Sequence, residues 1–413
     1  MTVDGYNLGV IRESRTDEFR APLVPSHIKK IKKLFSGIRV IVQPSDKRCF
    51  SNEEYLKAGA IINEDLASSD LILGIKEIDT SILINSKKYL FFSHTSKIQS
   101  DNSAPSQGAP GVDKKKLLNA ILKKDITLID YENIRNKKGS RYLGFGRFAG
   151  IVGCYNSLAL YEDFSNNIRL PRAFEINDYS LLKDTLQDKK FSEIKILITG
   201  DGRVARGALE LLKFTNINQV SKDNFIKNTF NEPVFCNLET SDYVSNDSGK
   251  AFSLQHFIKN PTKYSCVAEK YLEGTNLLIG AHYWDPLSPK IFDLKNLHRF
   301  NKLKVIGDIT CDINGSIPTT LRSTSIKNPY FYFNKDTKNE INKSDDAIAI
   351  MAVDNLPSEL PRDSSEEFGD GIIREVLPYI INNDDDDRIH NATIIKRGNF
   401  LSKYSYLKNY ISK

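Results

Sequence analysis

Cysteine is scarce and scattered. The five in 413 residues (Cys49, Cys154, Cys236, Cys266, Cys311) include no CxxC pair, which excludes a disulfide scaffold and fits reduced thiols in a reducing compartment. The six histidines are equally dispersed, with no HxxxH and no Cys/His cluster, and the Asp-Ile-Asn-Gly run at 312–315 is too short for a calcium loop, so no metal is expected. Charge of one sign is also lacking: 58 Lys and Arg against 52 Asp and Glu leave +6. No basic block is interleaved with aromatics, which argues against a nucleic-acid partner. Nowhere do 18 apolar residues run uninterrupted, so no membrane span is expected. The opening residues show neither the charged n-region and apolar h-region of an export signal nor an Arg-rich amphipathic presequence, and the expected compartment is the cytoplasm.

What is present is an ordinary globular composition, 40% hydrophobic and 27% charged, which argues against disorder. At about 100 to 200 residues per domain, the length suits two or three domains. Short β-rich runs at 8–11, 39–42, 71–75, 89–92 and 127–129 alternate with helical spacing at 27–34 and 115–122, the rhythm of βαβ units. Between them, residues 99–113 are polar and rich in Pro and Gly; they read as an exposed insertion or as a lid. Small and apolar residues from 148 to 164 predict a long, closely packed helix leading out of the first domain. A second α/β unit starts at 195–199, continues through a polar elaboration at 216–264, and regains strands at 276–279, 304–306 and 347–352. The expected architecture is α/β, with two Rossmann-like domains flanking a cleft. Residues 1–165 would form the substrate domain, completed by a returning segment at 354–413, and residues 166–353 the dinucleotide-binding domain.

Three groups of residues carry chemistry. Gly200-x-Gly202-x-x-Ala205 lies between an apolar strand and an amphipathic helix, the setting of a dinucleotide fingerprint. The first glycine permits the turn, the second lets backbone approach a pyrophosphate, and the small third residue lets helix and strand pack. The acid expected about 20 residues later for the ribose is Asp223. Lys222, Arg203 and Arg206 nearby could instead favour a 2′-phosphate, so NAD and NADP both remain open. Lys76, with Glu77, follows the strand run 71–75, and His94 follows 89–92. A lysine and a histidine at one crevice can lower each other's proton affinity and act as acid and base; singly, each reads as a surface or core residue. Arg20 and Arg141 are forks suited to carboxylates, or else ordinary surface ion pairs.

Taken in order, RAPLVP with Arg20, GIKE with Lys76, FSHTSK with His94, SRYLGFGRFAG with Arg141 and AVDNLPSELPRD with Asp354 resemble the lysine-forming saccharopine dehydrogenases and the lysine-ketoglutarate reductases of the alanine dehydrogenase and transhydrogenase superfamily. The resemblance implies NAD(P)H-dependent reductive condensation of L-lysine with 2-oxoglutarate to saccharopine. It implies Lys76 and His94 as the acid and base pair, tuned by Glu77 and Glu132, and Arg20, Gln99, Arg141, Phe145 and Asp312 as substrate contacts. On the cofactor side it implies Gly202, Arg203, Tyr283, Ile309, Val353, Asp354, Asn355 and Leu356, beside the fingerprint residues Gly200 and Val204 and the acid Asp223. The turn GDGRVARG and the segment GDITCDINGSIPTTL are closer to the reductase branch. Two other readings stand beside this one: an alanine dehydrogenase, which holds a single carboxylate, and a nucleotide-binding protein without turnover.

Overall fold

The computed structural model describes residues 5–96 and 113–412. Gln99 and nearly all of the polar insertion lie outside the described residues. The described chain divides into two compact units, one made of 5–96, 113–145 and 361–412, the other of 146–360.

In the first unit, β1 (Asn7–Val10), β2 (Arg39–Val42), β3 (Ile61–Ile62), β4 (Leu71–Leu73), β5 (Lys88–Phe91) and β6 (Thr127–Asp130) pair in parallel. β1 and β4 are buried along their whole length, as expected of strands covered on both faces. The helix Pro25–Leu34 starts with proline, whose missing N–H costs nothing there, and buries Ile28 and Ile31 while Lys32 and Lys33 face its negative end. After the second unit the chain returns. The helix Pro361–Glu375 adds Phe368, Ile372 and Ile373 to a core shared with Leu8, Val10 and Ile28.

In the second unit, β7 (Lys195–Thr199), β8 (Asn218–Gln219), β9 (Val234–Leu238), β12 (Leu277–Gly280), β13 (Val305–Asp308) and β16 (Ile348–Met351) are parallel. β14 (Tyr330–Phe333) and β15 (Glu340–Ile341) add an antiparallel edge. The segment read as an elaboration contains β9, a central strand, and a hairpin of β10 (Val244–Asn246) and β11 (Tyr264–Cys266). Back in the first unit, β17 (Thr393–Lys396) joins β6 antiparallel and β18 (Asn399–Phe400) joins β17, extending the sheet with tail residues for which no strand was expected.

The sheet orders are β18-β17-β6-β5-β4-β1-β2-β3 and β15-β14-β16-β13-β12-β7-β9-β8. Each therefore reverses direction beside its first strand, between β1 and β4 and between β7 and β12. At such switch points the carboxyl ends of parallel strands open a binding crevice.

The long helix Gly146–Asn166, expected with the first unit, belongs to the second. A Cβ on Gly150 would sit 1.9 Å from the Val204 carbonyl oxygen, and one on Gly207 2.0 Å from that of Arg147. Glycine thus lets this helix lie directly against the helix Arg203–Leu212, and the boundary falls at residue 146 rather than near 165. Among the described residues no helix is long and apolar enough to cross a membrane.

Candidate functional site

At the β1/β4 switch point, ionisable side chains from several strand ends collect. Glu13, just past β1, accepts from the backbone N–H groups of Ile75 (2.6 Å) and Lys76 (3.0 Å), one on each carboxylate oxygen. The loop that carries Lys76 is thereby fastened to the neighbouring strand. Burial, and then the charge of Glu18, push the Glu13 carboxyl from 4.5 up to about 8. Lys76 is half-buried; desolvation first, and Arg20 second, push its ammonium below its ordinary value. Glu77 bonds His94 Nδ1 at 2.7 Å, and although burial opposes it, that imidazole holds the Glu77 carboxyl below its usual range. His94 occupies left-handed backbone at φ 51°, uncommon outside glycine, and its ring stacks on Phe92 at 6.1 Å. The strained backbone is held by its surroundings: Asp130, fully buried at the end of β6, accepts from the Ser93 N–H and hydroxyl and from the Glu132 N–H.

The arginines differ. Arg20 is 3% exposed, and its guanidinium forks onto Glu18 at 2.7 and 2.5 Å with its Cζ 4.0 Å from the centre of the Phe145 ring. Arg141 is more accessible, with 37% of its side chain exposed, and reaches Glu132 at 2.5 Å. Lys76, Glu77, His94, Arg20, Phe145, Glu132 and Arg141 thus all belong to the first unit, on the loops that follow β1, β4, β5 and β6. Two residues of this cluster escaped sequence reasoning, Glu13 and Glu18. Each sits in a charged stretch resembling a surface loop; Glu13 meets the Ile75 and Lys76 amides through the pairing of β1 with β4, and Glu18 is buried against Arg20.

At the β7/β12 switch point the second unit presents a different surface. Gly200 has φ 112°, and a Cβ there would lie 2.6 Å from the Ala281 carbonyl oxygen, so the turn demands glycine. Gly202 has nothing within 4 Å of its Cβ direction, leaving room for a phosphate to reach its backbone. Ala205 is fully buried, as close helix–strand packing requires. His282, just past β12, bonds Thr199 Oγ1 through Nδ1 at 2.7 Å, and its Nε2 is buried without a hydrogen-bond partner among the described residues. Burial lowers its pKa to about 4 and keeps the ring neutral. The open glycine turn and this unsatisfied nitrogen fit a dinucleotide.

Arg203 and Val204 open the following helix. Tyr283 (81% exposed), Ile309 and the segment Val353, Asp354, Asn355 and Leu356 follow β12, β13 and β16 on the same edge of the sheet. Asp312 lies on the loop after β13 and belongs to the second unit, whereas Arg20, Arg141 and Phe145 belong to the first. Asp223 does not follow the strand beside β7: it lies in the first turn of the helix Lys222–Lys227 beyond β8, the outermost strand, two positions from β7. The acid on the adjacent strand is Glu239, immediately after β9, where the Gly200 N–H donates to the Leu238 carbonyl at 2.8 Å. The usual 20-residue spacing missed it because β8 and its helix intervene before β9.

Comparison with known proteins bears on the chain and its fold as a whole. Residues 9–152 match the family model described as alanine dehydrogenase/PNT, N-terminal domain. The chain is 30% identical to the alpha-aminoadipic semialdehyde synthase of Arabidopsis thaliana, over 97% of this chain and 41% of that protein, and 27% identical to the mitochondrial one of Rattus norvegicus, over 95% and 46%. It therefore spans less than half the length of these relatives. A lysine-forming, NAD(+) saccharopine dehydrogenase of Candida glabrata is 26% identical over 87% of this chain and 88% of its own. Among solved structures, an L-alanine dehydrogenase superposes with a TM-score of 0.63 at 15% identity, covering 98% of this chain and 99% of that one. A transhydrogenase from Sinorhizobium meliloti gives 0.56 at 13%, covering 96% and 98%. The chain is thus similar over most of its length to part of the alpha-aminoadipic semialdehyde synthases and to a lysine-forming saccharopine dehydrogenase, matches the alanine dehydrogenase/PNT N-terminal domain model over residues 9–152, and has the two-domain α/β fold of alanine dehydrogenase and transhydrogenase.

Proposed function

We propose that this protein is an NAD(P)-dependent oxidoreductase acting on CH–NH donors, which reversibly joins L-lysine to 2-oxoglutarate to give saccharopine. One observation carries the reading: Lys76, its ammonium destabilised by burial, and His94, braced by Glu77, stand on the loops after two adjacent parallel strands beside Arg20. Imine formation requires that the ε-ammonium of the substrate lose a proton and that the departing hydroxyl gain one. Two groups, one able to take up a proton and one able to give one, are the minimum for this. His94 suits the first step, because Glu77 stabilises the imidazolium that results. Lys76 suits delivery to the hydroxyl, because desolvation makes its ammonium a stronger acid. Arg141, more exposed than Arg20, is the better placed to receive a substrate carboxylate, while Arg20 and Phe145 shape the wall behind it. Gln99 and Asp312 remain in the proposed substrate set on resemblance. A nicotinamide, when bound, supplies or accepts the hydride; Gly200, Gly202 and the neutral His282 would hold its nucleotide. The five cysteines stand as free thiols, which supports a reducing compartment such as the cytoplasm.

Initial rates of NAD(P)H oxidation test the reading. Turnover that requires lysine plus 2-oxoglutarate supports it. Turnover with pyruvate plus ammonia alone would reassign the chain to alanine dehydrogenase chemistry, and nucleotide binding without turnover to a non-catalytic role.

A further inference from the structure

Wholly within the first unit lies a cavity of about 260 Å³ that the proposed reaction has not yet used. Ser96, two residues past His94, lines it from the loop after β5, and Glu132, Asn133 and Arg135 from the loop after β6. Lys403 and Tyr406 line it from the segment after β18. Tyr406 donates to the Ser96 carbonyl at 2.5 Å, which fastens the end of the chain to the loop that carries His94. The charge of this cavity is unbalanced. Arg135 stands directly opposite Arg141 in an antiparallel bridge, and like charges so placed repel. Glu132 answers one of them, with Arg141 Nη2 2.5 Å from its Oε1. Lys403 adds a third cation. It donates to a neutral partner, the Asn391 carbonyl, at 3.2 Å, and burial, followed by the charge of Arg135, lowers its proton affinity. Asn133 Nδ2 is buried with no hydrogen-bond partner among the described residues, while Oδ1 of the same amide accepts from Ser96 Oγ. Two cations and an unused amide donor on one cavity are equipment for a carboxylate.

Resting on the proposed function, we propose that this cavity is the subsite for the remote carboxylate of the amino-acid substrate, bound by Lys403 and Arg135 with Asn133 as a further donor. The length of the substrate decides which carboxylate it takes. The oxoacid carries one carboxylate on its reacting carbon, whereas that of lysine lies at the far end of a five-carbon chain from the reacting nitrogen. The two residues of backbone from His94 to Ser96 span up to about 7 Å, a reach comparable to that chain. The C-terminal segment thereby selects a long amine that ends in a carboxylate over ammonia or a plain diamine, which leave the cations unanswered.

The experiment measures initial rates of NAD(P)H oxidation with 2-oxoglutarate and either L-lysine or 1,5-diaminopentane, the same amine without the carboxylate, for the wild type, Lys403→Gln and Arg135→Gln. The wild type should favour lysine over the diamine by at least about tenfold in kcat/KM. Each variant should raise KM for lysine by about tenfold, leave KM for 2-oxoglutarate within about twofold, and shrink the preference for lysine to about threefold or less. Because both side chains are exposed, unchanged melting temperatures separate this effect from misfolding. Equal use of the diamine by the wild type overturns the inference, as does an unaltered KM for lysine in either variant. A rise in KM for 2-oxoglutarate in place of that for lysine overturns it too, and assigns the cavity to the oxoacid. No turnover by the wild type with lysine plus 2-oxoglutarate overturns the proposed function itself, and this inference with it.

Discussion

The two units share a plan and differ in charge. Each is a parallel sheet whose order reverses beside its first strand, and each gathers its polar residues at the carboxyl ends there. The first packs Glu13, Glu18, Arg20, Lys76, Glu77 and His94 together, where burial raises the proton affinity of Glu13 and lowers that of Lys76, while Arg20 and His94 hold Glu18 and Glu77 below the usual carboxylate range against the effect of burial. The second leaves a glycine turn with open space over Gly202 and a neutral imidazole beneath it. Topology therefore supplies a crevice, and the side chains decide whether it handles protons or phosphates. The charged site is expected to tolerate substitution structurally but not chemically. The glycine site reverses this at one of its two glycines.

The largest effect should come from the charged crevice. Lys76→Met and His94→Gln are each expected to lower turnover by about 10- to 10⁴-fold while nucleotide affinity stays within about twofold. Wild-type rates in both would strip these residues of their proposed roles. Next comes the glycine turn, where the two glycines should separate. Gly202→Val places a side chain in open space, so dinucleotide affinity should fall by at least about tenfold with no change in melting temperature. Gly200→Ala forces a non-glycine residue to φ 112° and into the Ala281 carbonyl, and should cost about 1–3 kcal/mol of stability. Identical behaviour of the two variants in both assays would break the distinction. A smaller effect is expected at Arg141: Arg141→Ala should raise KM for 2-oxoglutarate by about tenfold and leave that for the nucleotide unchanged. An unaltered KM would return Arg141 to a purely structural pairing with Glu132.

How legible each site was follows from how local its signals are. The glycine turn could be read because strand, turn and helix are contiguous in sequence. Lys76 and His94 could be read because each ends an apolar run. Glu13 could not: its neighbours Arg12, Ser14 and Arg15 are those of a surface loop, and its burial arises when β1 pairs with β4, some sixty residues away. β9 escaped because Cys236 and Asn237 interrupt its apolar run and Pro233 precedes it, and the acid search stopped at Asp223 as a result. The boundary near residue 146 turned on the pairing of Gly150 with the helix of Gly207, a tertiary contact that the small residues of the long helix hinted at without naming the partner.

The subtlest prediction concerns Glu13, and its sign distinguishes a buried acid from a fixed negative clamp. With its carboxyl pushed up from 4.5 to about 8, the folded protein holds a proton there that the unfolded chain has released. The stability this group contributes is therefore complete below about pH 4.5 and is lost as pH rises through about 8. Lys76 carries the opposite trend, since its lowered proton affinity makes folding more favourable as pH climbs toward its ordinary 10.5. Glu13→Gln keeps one acceptor for the Ile75 and Lys76 amides and removes the titration. Melting temperatures across pH 4.5 to 8 should consequently fall more steeply in the wild type than in the variant, and the acid limb of the turnover profile should shift with the changed field around Lys76. Parallel melting curves would mean that Glu13 stays ionised throughout, its charge held by the two amides it accepts from. The Lys76 loop would then be fastened by a permanent anion, and the acid-base work would rest on Lys76 and His94 alone.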